Sequence, residues 1–151
     1  MAVITTDILL EGFRRDQVFE WLGDFSQHAQ FLAGAFDQVE SISESELLLS
    51  FSAGFKTRQM KYILQSHDSS HGGRRIKIKT EGKRTAGHLH YSLRTMKPTS
   101  NTLITLHFDY TPGTLLGTLL NEFKLQEDLQ ELLAKVLSSL QAQLKNSANK
   151  T

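Results

Sequence analysis

The chain has no cysteine and only two prolines among its 151 residues. The absence of cysteine excludes a disulfide, a thiol nucleophile and a thiolate metal ligand, and it suits a reducing environment. No apolar run approaches the roughly 20 residues that a membrane-spanning helix needs. The segment Met1 to Gly12 has no basic start and carries Asp7, so it does not resemble a secretory signal. We therefore expect a soluble, cytoplasmic protein.

The net charge of +1 is small, but the charges are unevenly distributed along the chain. Residues 1–55 contain nine acidic and two basic side chains, which gives this segment a charge of −7. Residues 56–97 contain eleven basic and two acidic side chains, for a charge of +9. A segment this basic is expected to attract an anionic partner or to neutralise the acidic segment.

A long amphipathic helix is predicted over residues 114–146. Its apolar residues recur with i, i+3, i+4, i+7 spacing, which is the pattern of a helix with one buried stripe. The stripe consists of Leu116, Leu119, Leu120, Phe123, Leu129, Leu132, Leu133, Val136, Leu137, Leu140 and Leu144. Such a helix needs a partner surface in water. We expect one domain over residues 1–146, followed by a frayed polar tail over 147–151.

The rest of the chain alternates with a period of two, which predicts strands. The predicted order is one strand, two short helices starting near Asp16 and Ser26, six strands and the long helix. The predicted strands cover residues 2–11, 36–43, 46–53, 57–67, 74–81, 85–96 and 102–110. The short connections favour an antiparallel meander with one wet face. The fold class is therefore α+β, with a curved antiparallel sheet of about seven strands around the C-terminal helix.

This element order resembles the START-like helix-grip fold of the SRPBCC superfamily, which includes polyketide cyclases, lipid-transfer domains and pathogenesis-related allergens. The resemblance covers almost the whole chain. It rests on residues 16–22, Asp-Gln-Val-Phe-Glu-Trp-Leu, followed by Asp24, and on the C-terminal helix with Gly117 near its start. The resemblance implies binding or transport of a hydrophobic or amphipathic small molecule, such as a lipid, isoprenoid or polyketide, between the sheet and the last helix.

Strand parity and the helix stripe together predict the residues that line this ligand site. Most are apolar, and a few hydroxyl groups are available to orient a ligand, as is typical of small-molecule sites. The predicted lining residues are Tyr62, Leu64, Ile78, Thr80, Leu89, Tyr91, Leu93, Ile104, Leu106, Phe108, Tyr110, Leu116, Leu119, Leu120 and Phe123. The same alternation is equally expected of a core that these side chains simply fill.

Two alternative functions remain open from the sequence. The first is a cyclase or dehydratase on the same fold, although no Gly-x-Ser-x-Gly, P-loop or Gly-x-Gly-x-x-Gly motif is present. Its acid would be Tyr62 or Tyr91, and an unperturbed tyrosine is a weak acid at neutral pH; Arg58 is a further candidate whose facing is ambiguous. No cofactor is implied.

The second alternative is an interaction module that uses the outer face of the sheet. Arg75, Lys77, Lys79 and Arg94 fall on that face and are expected to meet an anionic surface or an acidic partner. Nucleic acid is disfavoured because aromatic residues do not interleave with these charges. His88, His90 and His107 share the face with Asp109, but this face is the solvated one, and we predict no metal site there.

Overall fold

The computed structural model describes residues 2–69, 73–111 and 119–149, with the backbone alone at 119–121. The order of elements is the predicted one, so the α+β class and the helix-grip architecture are confirmed. The elements are β1 (Ala2–Leu10), α1 (Arg15–Gly23), α2 (Phe25–Leu32), β2 (Gln38–Ser43), β3 (Glu46–Ala53), β4 (Lys56–Asp68), β5 (Arg75–Glu81), β6 (Gly87–Met96), β7 (Asn101–Tyr110) and α3 (Leu119–Asn149).

All seven strands form one antiparallel sheet in the order β1-β7-β6-β5-β4-β3-β2. Strands β2 to β7 follow one another as a meander, as their short connections favour. Strand β1 pairs with β7 instead of β2, so the segment that contains α1 and α2 carries the chain from one edge of the sheet to the other. Along β7 every second side chain is buried, which separates an inward apolar face from an outward polar one.

Helix α3 lies on the inward face, and its main contacts with the sheet are with β1 and β3. Its buried stripe consists of Leu125, Leu129, Leu133, Val136, Leu137, Leu140 and Leu144. The prediction that Phe123 faces the sheet is wrong, because its side chain is 63% exposed. Helix positions three or four residues apart share a face. Leu125 lies four residues before Leu129 and is therefore on the stripe, whereas Phe123 lies six residues before it, on another side of the helix.

The ends of the helices differ slightly from the predicted ones. Helix α1 begins at Arg15, one residue before the predicted start at Asp16. Asp16 lies in the first turn of the helix, where the helix dipole favours a carboxylate. Helix α2 is capped by Asp24, whose carboxylate accepts hydrogen bonds from the Ser26 N–H at 3.1 Å and the Ser26 hydroxyl at 2.7 Å. Helix α3 continues to Asn149, so residues 147–149 of the predicted tail are helical. No described helix is long and apolar enough to cross a membrane.

Candidate functional site

The predicted lining residues of the strands all point toward the inner face of the sheet. Ten of them are at most 5% exposed, and Leu64 is half-buried at the edge of the same core. Side chains this enclosed are in contact with other protein atoms on every side. Leu116 lies outside the described residues, as does Gly117, and the side chains of Leu119 and Leu120 are likewise not described. A ligand contact of any of these residues, or of Phe123, stays a prediction.

A chain of three hydrogen-bonded side chains crosses the inner face. The Tyr62 and Tyr91 hydroxyls lie 2.8 Å apart, and the Tyr62 hydroxyl lies 2.6 Å from Nδ1 of His28. Nε2 of His28 lies 2.7 Å from the backbone carbonyl oxygen of Leu22. All three side chains are almost completely buried, and the rings of Phe25 and Phe31 pack against His28. The polar groups are therefore sealed beneath α1 and α2.

Burial sets the protonation states of His28, Tyr62 and Tyr91. Desolvation lowers the pKa of His28 to about 4 and raises the pKa of both Tyr62 and Tyr91, so all three groups are neutral at neutral pH. The Leu22 carbonyl can only accept, so Nε2 of His28 carries the proton and Nδ1 accepts from the Tyr62 hydroxyl. The Tyr62 oxygen then accepts from Tyr91. The hydroxyl protons of Tyr62 and Tyr91 are therefore both donated to other protein groups, and neither is left for a ligand.

His28 is not among the site residues predicted from the sequence. A signal for it was nevertheless present, because His28 lies three and four residues before the inward-facing Phe31 and Leu32 and therefore shares their helix face. Its hydrogen-bond partners come from β4 and from the end of α1. The β4 partner is distant in the sequence, and no helical or strand period relates such positions.

The second notable group lies at one end of the sheet, where the β3–β4 turn, the β5–β6 connection and the start of α3 meet. Arg58, whose facing was ambiguous from the sequence, points inward and is only 8% exposed. Its Nε donates to the Ala53 carbonyl at 2.8 Å, and its Nη1 lies 3.4 Å from the Lys83 carbonyl. A cleft of about 1310 Å³ adjoins this group and is lined by Asp37, Gln38, Ser50, Lys56, Thr57, Arg58, Gln59, Lys83 and Arg84.

Beside the tip of the β3–β4 hairpin, a smaller cleft of about 430 Å³ lies against α3 and shares Asp37, Lys56 and Thr57 with the larger one. The tip consists of Gly54 and Phe55, both with positive φ, at 62° and 66°. The Gly54 N–H donates to Asp128 of α3 at 2.9 Å, and the exposed Phe55 ring lies under the Lys124 ammonium at 5.8 Å. The predicted lining residues on the strands line neither of these two clefts.

The outer face of the sheet carries the predicted basic and histidine residues. Arg75, Lys79 and Arg94 are exposed there, and Lys77 is half-buried. The register of β6 and β7 places His90 opposite His107 and His88 opposite Asp109, which the sequence had left open. Desolvation lowers the pKa of His90. Among the described residues no group of three or more histidine or carboxylate side chains has the geometry to hold a metal ion.

Comparison with known proteins addresses the fold. No protein-family model and no curated protein sequence matches the chain. A solved structure from Thermus thermophilus is similar with a TM-score of 0.71 at 12% identity, covering 97% of this chain and 99% of the other. The Zhui aromatase/cyclase from Streptomyces sp. R1128 is similar with a TM-score of 0.64 at 12% identity, covering 97% of this chain and 95% of the enzyme.

A third similar structure is a START superfamily protein from Mycobacterium smegmatis, with a TM-score of 0.60 at 9% identity, covering 95% of this chain and 97% of the other. At these identities the likeness concerns the backbone arrangement and not the chemistry of a site. The likeness extends over nearly the full length of each chain and agrees with the sheet order and the position of α3. The protein therefore has the START-like helix-grip fold.

Proposed function

We propose that the protein binds a hydrophobic or amphipathic small molecule, such as a lipid, an isoprenoid or a polyketide-like molecule, between the sheet and α3, and that it does so in the cytoplasm. The observation that carries this proposal is the course of α3. The helix has its main contacts with β1 and β3, which flank the strands β4 to β7. The inward faces of these four strands are continuous and mainly apolar.

The polar groups on this surface suit a ligand that is mostly apolar. Tyr62 and Tyr91 satisfy one another and His28, so they add little attraction for a polar ligand. A ligand tail would then gain affinity mainly from apolar burial, at about 25 cal/mol per Å² before the entropy lost on binding. Because the inward side chains are almost fully enclosed, we expect ligand uptake to require that some of them, or the first turns of α3, move apart.

Native mass spectrometry of the protein purified from cells tests this proposal. We expect a discrete mass above that of the 17.0 kDa chain, and organic extraction should release the added component. The same protein incubated with a mixed lipid extract should gain such a mass, whereas heat-unfolded protein treated identically should not. A bare chain in both the purified and the incubated samples would contradict ligand binding.

A second candidate is a cyclase- or dehydratase-like enzyme, and the buried tyrosine pair is the observation that favours it. The similarity to an aromatase/cyclase makes a polyketide-like substrate the natural class to test. One observation disfavours this function: Tyr91 already donates its hydroxyl proton to Tyr62, and Tyr62 donates its own to His28. If the protein is an enzyme of this kind, Tyr91→Phe should abolish turnover with binding retained, while Lys61→Gln on the outer face of β4 should leave turnover intact.

A further inference from the structure

Buried polar atoms without a partner are concentrated at one place in this structure. Among the described residues five buried side-chain nitrogen or oxygen atoms have no hydrogen-bond partner, and four of them belong to Arg58, Arg84 and Thr85. These atoms are Nη2 of Arg58, Nε and Nη2 of Arg84, and Oγ1 of Thr85. Leaving buried donors unpaired costs about 1–3 kcal/mol each, and more for charged groups. Such a concentration indicates that something else supplies the acceptors.

The charges at this place are also unbalanced. Neither Arg58 nor Arg84 forms a salt bridge among those found in the described part of the chain. Burial lowers the pKa of Arg58, and the neighbouring charge of Arg84 lowers it further. The adjoining cleft adds Lys56 and Lys83, and Asp37 is the one acidic residue among its described lining residues. Both guanidinium groups line the same cleft and neither has a carboxylate partner among the described residues, so an anion bound against them would remove the repulsion between their charges.

The backbone holds the second arginine in an unusual conformation. Arg84 has a φ of 63°, in the left-handed region that side chains other than glycine and asparagine rarely adopt. Strain of this kind persists where the surrounding structure imposes it, and it clusters at ligand-binding sites. The Thr85 hydroxyl next to Arg84 is also unpaired and fully buried.

Arg58 lies where the cleft meets the space beneath α3. A Cβ added at Gly54 would lie 3.2 Å from Nη2 of Arg58 and 3.1 Å from Cβ of Leu125, so the guanidinium lies near Leu125 of the α3 stripe. On the same strand and the same face, Met60 and Tyr62 follow toward the interior. An anionic group held at Arg58 would therefore have apolar surface directly behind it.

We propose that Arg58 and Arg84 together bind the oxyanion, a carboxylate or a phosphate, that forms the head group of an amphipathic ligand. Guanidinium groups suit this task because their planar donor pairs match two oxygens of a carboxylate or phosphate. The assignment of the oxyanion to a ligand head group rests on the proposed function, which places the apolar tail between the sheet and α3.

The test compares three probes by isothermal titration calorimetry on the full chain: decanoate, decanol and inorganic phosphate. Decanoate and decanol share one tail and differ in the charged head group. We expect decanoate to bind at least tenfold more tightly than decanol, and inorganic phosphate to bind more weakly than decanoate. The variants Arg58→Gln and Arg84→Asn should each remove most of the preference for decanoate while leaving decanol binding unchanged.

Asparagine is chosen at position 84 because it tolerates the left-handed conformation of that residue. The matched control is Lys61→Gln, which removes an exposed positive charge from the outer face of the strand that carries Arg58. The control should bind decanoate as the wild type does. Arg58→Gln loses the hydrogen bond from Nε to the Ala53 carbonyl, so its melting temperature should fall, whereas Arg84→Asn should keep the melting temperature of the wild type. Replacing a purely structural arginine would instead leave the decanoate preference in place.

The outcomes separate this inference from the proposed function. Equal affinity for decanoate and decanol would overturn the oxyanion site and leave small-molecule binding intact. Phosphate binding that both arginine variants weaken, without binding of either amphiphile, would support the oxyanion site, identify a free anion as its ligand and contradict the proposed function. If none of the three probes binds, both are overturned.

Discussion

Among single residues, His28 shows how burial sets the chemistry of the core. The side chain lies between two hydrogen-bond partners, Tyr62 and the Leu22 carbonyl, and is fully buried. Desolvation lowers its pKa to about 4 from the ordinary value of 6.5, although the Leu22 carbonyl and the Asp24 carboxylate both favour the charged form. The imidazole is therefore held neutral where an exposed histidine would be partly protonated.

This lowered pKa predicts a pH dependence of stability. The unfolded chain takes up a proton at His28 near pH 6.5, whereas the folded protein does so near pH 4, so the unfolded state binds more protons between these values. Each pH unit between the two pKa values is worth about 1.4 kcal/mol, so this one group should lower the free energy of unfolding by about 3 kcal/mol between pH 7 and pH 4. Urea denaturation across this range measures the effect.

The variant His28→Asn removes the titrating ring and keeps a side-chain oxygen able to accept from Tyr62. It should be less stable than the wild type at pH 7, but its stability should depend less on pH between 7 and 4. The control His88→Gln removes an exposed histidine and should retain the pH profile of the wild type. Parallel profiles for the wild type and His28→Asn would show that His28 is not the source of the dependence.

Among the elements, the β3–β4 hairpin combines backbone strain with a fixed attachment to α3. Its two-residue loop needs positive φ at both positions, which suits Gly54 and strains Phe55. Asp128 of α3 receives the Gly54 N–H and the Lys124 ammonium, each at 2.9 Å. Burial alone would raise the pKa of Asp128, but these hydrogen bonds outweigh it and keep the pKa below its usual range. The hairpin tip is thereby fixed beside the clefts.

Relieving the strain at Phe55 should stabilise the protein. The left-handed conformation destabilises the folded state by roughly 1–2 kcal/mol at a residue other than glycine. Glycine removes this strain, but its greater conformational entropy in the unfolded chain offsets part of the stabilisation. The exposed ring and its contact with Lys124 contribute little. We expect Phe55→Gly to raise the free energy of unfolding by about 0.5 kcal/mol, as measured by chemical denaturation.

The opposite change at the neighbouring position provides the comparison. Gly54→Ala places a Cβ 3.1 Å from Cβ of Leu125 in a left-handed backbone, and it should lower the free energy of unfolding by about 1–2 kcal/mol. A loss of stability in Phe55→Gly would mean that the ring packs more firmly than its 68% exposure indicates.

Across the whole molecule, α3 lies on the inner face of the sheet, while the outer face of its central strands β5 and β6 is basic. Lys79 pairs with Glu81 at 3.5 Å, and the register places His90 and His88 beside Lys77 and Lys79. On β5 and β6 the outward charges are those of Arg75, Lys77, Lys79 and Arg94 against Glu81 alone. The face is therefore a candidate for docking to an anionic surface or an acidic partner, as the charge of residues 56–97 predicts.

Binding to vesicles that contain phosphatidylglycerol tests this docking. Each lysine near an anionic membrane contributes about 1 kcal/mol, so Lys77→Gln combined with Lys79→Gln should weaken binding roughly thirtyfold at low salt. The matched control combines Lys135→Gln with Lys145→Gln, two exposed lysines of α3. If both pairs weaken binding equally, the attraction comes from net charge and not from the sheet face. If the wild type does not bind these vesicles, the face does not dock to an anionic membrane.

The alternation of residues along the strands was enough to predict all seven strands and the inward face of their candidate lining residues, but it left the facing of Arg58 open. This worked because most of the strands have one apolar and one polar face, and the period of two is hard to mistake; β2, whose side chains are all exposed or half-buried, is the exception. The α3 stripe was predictable from Leu129 onward for the same reason at a period of 3.6. The predicted stripe included Phe123 and omitted Leu125 because the apolar spacing is interrupted between Phe123 and Leu129, where the period alone does not fix which residue continues the stripe.

The fold class, the order of elements and the identity of the core could all be predicted from the amino-acid sequence, since each depends on local periodicity. Contacts between distant polar groups depend instead on packing in three dimensions. Packing brings His28 to Tyr62, Arg58 and Arg84 to one cleft, and His90 opposite His107. It also decides that β1 pairs with β7. These contacts join residues far apart in the chain, and they are set by strand register and by how helices pack on the sheet. The candidate oxyanion site depends on that register because its two arginines lie in different parts of the chain.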